Sequence, residues 1–290
     1  MAGLYVVATP IGNLGDMSDR VRETLAQCDL IAAEDTRVTM KLLNVLGITK
    51  PMTSFHQHNE MGKTQGLVER MIQEDLKVAL TCDAGTPGIS DPGEPLVQAA
   101  WENGVEVIPV CGPSAAVTAL SVCGFDTRTF AFYGFLPREK RELRDRLSEI
   151  LQTGIPVAVL YESPHRVVKL VEEIVAALPG VQMLVCCDLT KKFEKLLRGD
   201  GAAVLKELSQ NPNVEKGEYC LVLDLHQVPK AEKPQAEMSA EARILQAMLD
   251  GQTLEDAARE AMEQCSRNEV YKAKIKVRTF LEDYMEMQEE

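Results

Sequence analysis

Three loops rich in glycine and proline follow three short apolar segments. The first is Ala8–Asp16 (ATPIGNLGD), the second is Cys82–Pro95 (CDAGTPGISDPGEP), and the third is Cys111–Ala116 (CGPSAA). Such turns let backbone N–H groups face a ligand. An ordinary turn explains the first loop taken alone, but three such loops after strands of one sheet favour a ligand site.

The loops also limit the kind of ligand. The first loop has neither the GxGxxG pattern of a dinucleotide site nor the Gly-Lys-Ser/Thr of a P-loop. In the second loop, Asp83 and Asp91 are suited to a ribose or an ammonium group. The alternative is a surface loop with Asx turns.

Three other polar segments have the residue types of a functional site. Glu34–Arg37 (EDTR) forms either a charge cluster or a helix cap. Ser54–Glu60 places His56 and His58 on one face of a strand-like segment, but without a third ligand nearby we expect no metal. Tyr161–Arg166 (YESPHR) follows another strand.

Strands and helices alternate through most of the chain, which predicts an α/β fold with a mainly parallel, buried first sheet. Ser18, Gly47 and Ser163 are the predicted helix caps. We expect α/β domains at 1–116 and 117–226, a linker at 227–238 and a helical domain at 239–290. The helices of that last domain are predicted at Ala240–Asp250, Leu254–Cys265 and Asn268–Met287.

Composition narrows the class of protein. With 290 residues, 45% hydrophobic and 26% charged, the chain has enough apolar residues for a sizeable core. It has no run of about 18 apolar residues and no signal-peptide pattern, so we expect a cytoplasmic protein. The eight cysteines form no C-x-x-C pair and are expected to be reduced and mostly buried.

The net charge of −13 argues against indiscriminate binding to nucleic acid. Three basic segments, 138–146, 191–198 and 267–278, depart from the acidic trend. Each alone is typical of a solvated helix face. Together they favour an anionic partner.

Nine segments in this order resemble the ribosomal RNA small-subunit methyltransferase I family, of the tetrapyrrole-methylase superfamily. They are YVVATPIGNLGD, DLIAAEDTR, FHQHNE, DAGTPGISDPG, GPSA, YGFLP, YESPHR, LTKKFE and KGEY. They span residues 4 to about 225. The chain departs from the family pattern at Cys111, where a proline is expected, and at Cys187-Asp188, where Arg-Glu is expected.

The resemblance implies two α/β domains with S-adenosylmethionine in the cleft between them, and a homodimer. Because three glycine- and proline-rich loops follow strands and the sequence has no metal-ligand cluster, we expect the cofactor to bind without a metal. It implies methyl transfer to a cytidine ribose 2′-oxygen in the decoding centre of 16S rRNA, within the small ribosomal subunit. The implied cofactor-binding residues are Pro10, Gly12, Asp83, Gly85, Thr86, Pro87, Ser90, Asp91, Ser114, Ala115, Ala116, Tyr161 and Glu162.

A ribose hydroxyl must lose a proton during this transfer, and orientation supplies much of the rate. The candidate catalytic residues are Glu34, Asp35, Arg37, Glu162, Asp188, Lys191 and Glu218. The candidate RNA-binding residues are Arg37, His58, Arg138, Arg141, Arg166, Lys191, Lys192, Lys272, Lys274 and Lys276. The alternatives are a methylase of a tetrapyrrole small molecule and a non-enzymatic, RNA-binding ribosome-assembly protein.

Overall fold

The computed structural model describes residues 1–229 and 238–289. The chain divides into two compact units, Met1–Pro229 and Lys230–Glu290. In the described residues, no helix is both long and apolar enough to cross a membrane.

A parallel sheet occupies the N-terminal part of the first unit. Its strands are β1 (Gly3–Val7), β2 (Leu30–Ala33), β3 (Met52–Ser54), β4 (Lys77–Thr81) and β5 (Glu106–Val110), in the order β3-β2-β4-β1-β5. Its helices are α1 (Asp19–Gln27), α2 (Thr36–Leu46), α3 (Glu60–Gln73) and α4 (Glu94–Glu102). Apolar side chains of α1 and α2 contribute to one core of the sheet, and those of α3 and α4 to another. All five strands run parallel, as predicted.

A mixed sheet follows in the same unit. It is built with α5 (Ala115–Cys123), β6 (Ala131–Phe135), α6 (Lys140–Gln152), β7 (Val157–Glu162), α7 (Val167–Ala177), β8 (Gln182–Cys187), β9 (Lys195–Asp200), α8 (Gly201–Ser209) and β10 (Tyr219–Asp224). The order is β6-β7-β10-β8-β9, with β10 antiparallel to both of its neighbours. Helix α5 packs in one core and helices α6 to α8 in another.

Local signals placed several helix ends correctly. The Ser18 hydroxyl accepts the Val21 N–H at the start of α1, and Gly47 ends α2 with a φ of +68°. The prediction for Ser163 is wrong, because α7 begins only at Val167. The Ser163 hydroxyl donates instead to the Glu162 carboxylate, so it is not available as a cap.

Two other expectations are corrected, one by strand pairing and one by a local turn. Lys195–Asp200, in a segment typical of a solvated helix face, forms the edge strand β9 because it pairs antiparallel with β8. The strand-like segment predicted from Ser54 to Glu60 ends at Ser54, and the chain turns where the Asn59 carboxamide accepts the His56 N–H. The predicted boundary at residue 116 falls in the first turn of α5.

The second unit contains the three predicted helices, which are α9 (Ala240–Leu249), α10 (Leu254–Ala261) and α11 (Arg267–Glu289). They have a core of their own, made by small and aliphatic residues such as Ile244, Ala258, Ala273 and Val277. The predicted linker, 227–238, lies largely outside the described residues.

The cysteines follow the expectation from composition. All eight are free, and six are buried. Cys111 is exposed and Cys265 is half-buried.

Candidate active site

The three glycine- and proline-rich loops meet at the carboxyl edge of the parallel sheet. Thr9 and Gly85 exchange two backbone hydrogen bonds, of 2.8 and 3.0 Å, which join the first loop to the second. The Thr86 hydroxyl donates to the Pro113 carbonyl at 3.3 Å, which joins the second loop to the third. Because parallel strands end at the same edge, loops far apart in sequence form one surface.

A cavity of about 370 Å³ opens between this surface and the mixed sheet. That volume is typical of small-molecule sites. The parallel-sheet side includes Ile11, Ala84, Gly85, Thr86, Ile89, Ser90 and Asp91. The other side includes Phe135, Tyr161, Glu162, Ser163, Pro164, Leu189, Glu218, Tyr219 and Cys220, with Ser114 and Ala115 beside them.

Eight of the residues implied by the resemblance to bind the cofactor line this cavity: Gly85, Thr86, Ser90, Asp91, Ser114, Ala115, Tyr161 and Glu162. Pro10, Gly12 and Asp83 line a separate cleft of about 280 Å³ next to α2. Pro87 lines a third, apolar groove. Ala116 supports the cavity from behind, since its backbone N–H donates to the Tyr161 hydroxyl at 3.2 Å.

Sequence reasoning missed mainly the apolar lining. Ile11, Phe135 and Leu189 line the cavity, and they lie in the segments YVVATPIGNLGD, YGFLP and LTKKFE, which carry the family resemblance. Their apolar side chains perform no acid–base or ligating chemistry, so no motif marked them. Phe135 packs edge-on against Tyr161, with ring centroids 5.9 Å apart.

Acidic side chains cluster where β2 and β4 end. Burial, and next the nearby Glu34 charge, raise the pKa of Asp91 to about 6. Burial also raises the pKa of Glu34, although its carboxylate accepts the Asp83 N–H at 3.1 Å. The Asp83 carboxylate in turn accepts the Asp35 N–H at 3.1 Å. Hydrogen bonds to carboxylates therefore join the ends of β2 and β4.

Asp35 and Arg37 form an exposed ion pair. The Asp35 carboxylate accepts the backbone N–H and the guanidinium N–H groups of Arg37. These hydrogen bonds lower the pKa of Asp35 to about 2. Of the two interpretations of Glu34–Arg37, Asp35 matches the helix cap, because it is the N-cap residue of α2.

Glu162 is the buried carboxylate of the mixed sheet. One oxygen accepts the N–H and the hydroxyl of Ser163, and the other lies 3.2 Å from the Arg166 guanidinium. Arg166 also donates to the carbonyls of Leu136 and Pro137. Its guanidinium therefore ties the ends of β6 and β7 together.

Lys191 joins two carboxylates at the cavity. Its ammonium group lies 3.0 Å from both the Asp188 and the Glu218 carboxylates. Burial lowers the pKa of Lys191, but the two hydrogen bonds outweigh burial and raise it, so the ammonium stays charged. Gly12 is required beneath it, because a Cβ at that position would overlap the Lys191 side chain.

Most of the candidate RNA-binding residues are exposed: Arg37, His58, Arg138, Arg141, Lys192, Lys272 and Lys276. In the second unit, Lys274 pairs with Glu255 and Lys276 with Glu241. Carboxylates of the same unit thus partly neutralise the basic segment.

No group of three or more His, Cys, Asp or Glu side chains suited to a metal ion occurs in the described residues. His56 and His58 contact each other edge-on, with ring centroids 6.0 Å apart.

This chain is similar in sequence to a known protein family. The family model described as Tetrapyrrole (Corrin/Porphyrin) Methylases matches residues 3–204. A ribosomal RNA small subunit methyltransferase I of Synechocystis sp. is 39% identical over 280 residues, covering 96% of this chain and 99% of that protein. A protein of the same name from Bacillus subtilis is 36% identical over 278 residues, covering 94% of each.

Two solved methyltransferase structures share the fold. The methyltransferase CobJ matches with a TM-score of 0.57 at 16% identity, over 80% of this chain and 98% of that one. A uroporphyrin-III C-methyltransferase from Thermus thermophilus, solved with S-adenosyl homocysteine, matches with a TM-score of 0.53 at 14% identity, over 77% and 97%. The chain belongs to the tetrapyrrole methylase family and, within it, to the ribosomal RNA small subunit methyltransferases I.

Proposed function

We propose that this protein transfers the methyl group of S-adenosylmethionine to the 2′-oxygen of a cytidine ribose in the decoding centre of 16S rRNA. The observation that carries the proposal is the near full-length similarity to relatives named for small-subunit rRNA methylation. A substrate within the small subunit also implies a cytoplasmic location.

The residues of the cavity fit the proposed cofactor. Ile11, Leu189 and Phe135 provide apolar contact for a flat ring, and the Asp91 and Glu218 carboxylates attract positive charge. When bound, S-adenosylmethionine supplies an electrophilic methyl group on a sulfonium. The chain would hold the two reactants in line and exclude water.

We assign the role of proton acceptor to Glu218. Among the carboxylates named as candidates, Glu162 and Glu218 line the cavity. Glu162 is held by Ser163 and Arg166, whereas the Glu218 side chain is 69% exposed and accessible to a substrate hydroxyl. Lys191 would hold the Glu218 carboxylate in position, and Asp188 would hold Lys191.

The proposed assembly is a homodimer formed through the edge of the parallel sheet. β5 is an edge strand, and beside it a groove is lined by Pro87, Val97, Val107 and Trp101. Trp101 is 65% exposed. An apolar groove next to an edge strand fits a second copy of the same surface.

The decisive experiment incubates the purified protein with labelled S-adenosylmethionine and one of three acceptors. These are small ribosomal subunits, naked 16S rRNA and uroporphyrinogen. Label in a cytidine ribose of 16S rRNA is expected. Label only in the porphyrinogen would identify a small-molecule methylase instead, and cofactor-independent RNA binding without label would identify an assembly protein.

A further inference from the structure

The loop between β8 and β9 is fixed by polar contacts. The Asp188 N–H donates to the Glu218 carbonyl at 2.9 Å, and the Lys191 N–H donates to the Asp188 carbonyl at 3.0 Å. The Thr190 N–H donates to the Glu194 carboxylate at 2.6 Å. Asp188 and Thr190 have φ angles of +52° and +65°, which non-glycine residues rarely adopt. The contacts therefore hold one strained conformation.

Side chains from outside the loop reinforce it. The Lys191 ammonium bridges to Glu218, in the segment before β10. A Cβ at Gly217 would lie 2.5 Å from the Asp188 carboxylate, so that segment approaches the loop closely only because residue 217 is glycine. Strain of this kind persists where the surroundings over-determine the backbone, and it concentrates at functional sites.

This rigid loop presents an aromatic ring to solvent. The Phe193 side chain is 72% exposed, so it contributes little apolar burial to the fold. The Lys192 ammonium lies 5.5 Å from the ring centroid, within cation–π range. Lys195 is exposed at the start of β9. An exposed ring with one lysine ammonium over it and a second exposed lysine two residues further along the chain stands out in a chain of net charge −13.

The ring is close to the cavity in sequence. Leu189 lines the cavity, and four residues further along the same loop is Phe193. Four residues span at most about 14 Å even when fully extended. The ring is therefore within reach of nucleotides next to one whose ribose occupies the cavity mouth.

We propose that Phe193 stacks on an unpaired base of the RNA beside the methylated nucleotide, while Lys192 and Lys195 contact its phosphates. This inference rests on the proposed function, and it assigns to Phe193, Lys192 and Lys195 the positioning of the RNA. Unpaired bases bind proteins through stacking on aromatic side chains and through nearby cations. A protein partner with an apolar surface would instead have to desolvate both lysines.

The test compares Phe193→Ala, Phe193→Leu and Phe193→Tyr, with Phe130→Ala as the matched control. Phe130 is 46% exposed and precedes β6, at the opposite edge of the same sheet from β9. The KM for small subunits, kcat, the Kd for S-adenosylmethionine and the oligomeric state are measured for each variant.

Loss of one stacked base is expected to raise KM roughly 5- to 150-fold. The alanine and leucine variants should show this increase, while the tyrosine variant and the Phe130 control stay near wild type. Cofactor Kd should not change. Normal KM in the alanine variant, full rescue by leucine, or a changed oligomeric state would overturn the stacking role.

Binding of a labelled, single-stranded 16S rRNA oligonucleotide separates this inference from the proposed function. If the wild-type protein methylates no RNA, the proposed function fails. The stacking role of Phe193 is then tested by RNA binding alone. Phe193→Ala should weaken the complex with the oligonucleotide, and Phe193→Tyr should not. Equal binding by both variants would reject it.

Discussion

At the scale of single residues, the candidate site contains charged groups that their surroundings stabilise and one whose charged form they disfavour. Lys191 is satisfied by two carboxylates, whereas Asp91 lies partly buried near the Glu34 charge. Functional sites commonly hold groups in states that the fold alone would not favour. Substitutions at the two kinds of group should therefore affect stability and activity differently.

Replacement of the proposed proton acceptor, Glu218→Gln, should lower kcat by about 10²- to 10⁴-fold, the usual contribution of general base catalysis. Cofactor affinity should fall much less than kcat, because the amide keeps the size of the carboxylate and Asp91 still attracts the positive charge of the cofactor. Glu215→Gln, at an exposed carboxylate three residues away, is the matched control. Single-turnover methylation measures the chemical step, and an unchanged rate in Glu218→Gln would remove Glu218 from the mechanism.

Stability should fall as pH rises through the titration of Asp91. This carboxyl group titrates near 4 in an unfolded chain and at about 6 in the folded protein, so the folded state binds more protons between those values. Asp91→Asn removes the charge and should raise the free energy of unfolding at pH 7 by about 1 kcal/mol, after allowance for solvent screening. At pH 4 the variant and the wild type should agree. Urea unfolding at both pH values measures this, and a less stable variant at pH 7 would contradict it.

Gly85→Val should distort the junction of the first and second loops. Gly85 has a φ of +90°, and a β-branched residue there is strained by roughly 1–3 kcal/mol. The free variant relieves this strain by shifting the loop, and cofactor binding must restore the original conformation. Since 1.4 kcal/mol is a tenfold change in affinity, binding of S-adenosylmethionine should weaken about tenfold or more. Gly62→Val in α3, where a new Cβ meets nothing within 4 Å, is the control. Calorimetry that finds equal affinity in both variants would contradict a cofactor role for this loop.

At the scale of elements, sheet edges and loop ends determine where chemistry occurs. The three loops come from strands β1, β4 and β5, which are neighbours in the order β4-β1-β5. The edge strand β9 follows the strained loop that presents Phe193. Helices α9 to α11 have a core of their own. A deletion experiment can test whether they bind RNA.

Deletion of residues after Pro229 should leave cofactor binding intact, because the cores of the first unit contain only its own residues. If the helices dock RNA, methylation of small subunits by the truncated protein should weaken relative to the wild type, most strongly at low salt, because the loss of phosphate contacts lowers the salt dependence of binding. Cofactor affinity and methylation are measured at two salt concentrations. Methylation by the truncated protein equal to that of the wild type at both salt concentrations would reject docking. An unfolded truncation would also reject it, because the helices would then belong to the core. Lys272 is the exposed cation to test next, since Lys274 and Lys276 pair with Glu255 and Glu241.

At the scale of the whole molecule, the exposed Trp101 groove predicts self-association. Trp101→Glu would place a charge in an apolar interface, where it would be buried without a partner. The variant should therefore sediment at half the mass of the wild-type protein. Met61→Glu, at a residue 77% exposed on α3, is the control and should remain dimeric. A Trp101→Glu dimer would show that the groove is not the interface.

Much of the fold followed from the sequence because its causes are local. Alternating apolar segments and caps such as Ser18 and Gly47 act within one helix or strand. β9 was not found because its pairing with the distant strand β8 decides it. The turn at His56 was not found although its cause is local, a hydrogen bond from the His56 N–H to the Asn59 carboxamide three residues away. Ser163 failed as a cap because its hydroxyl donates to the neighbouring Glu162 carboxylate.

The sequence by itself determined the family and the three loops of the candidate site, because glycine, proline and acidic residues are distinctive even when read in order. Only the tertiary structure decided which residues share the cavity. Eight of the implied cofactor residues meet there, whereas Pro10, Gly12 and Asp83 lie in the neighbouring cleft. Leu189 and Phe135 also line the cavity, and Glu218 lies there beside Lys191. Sheet pairing brings these separate strand ends together, and no spacing along the chain encodes that contact.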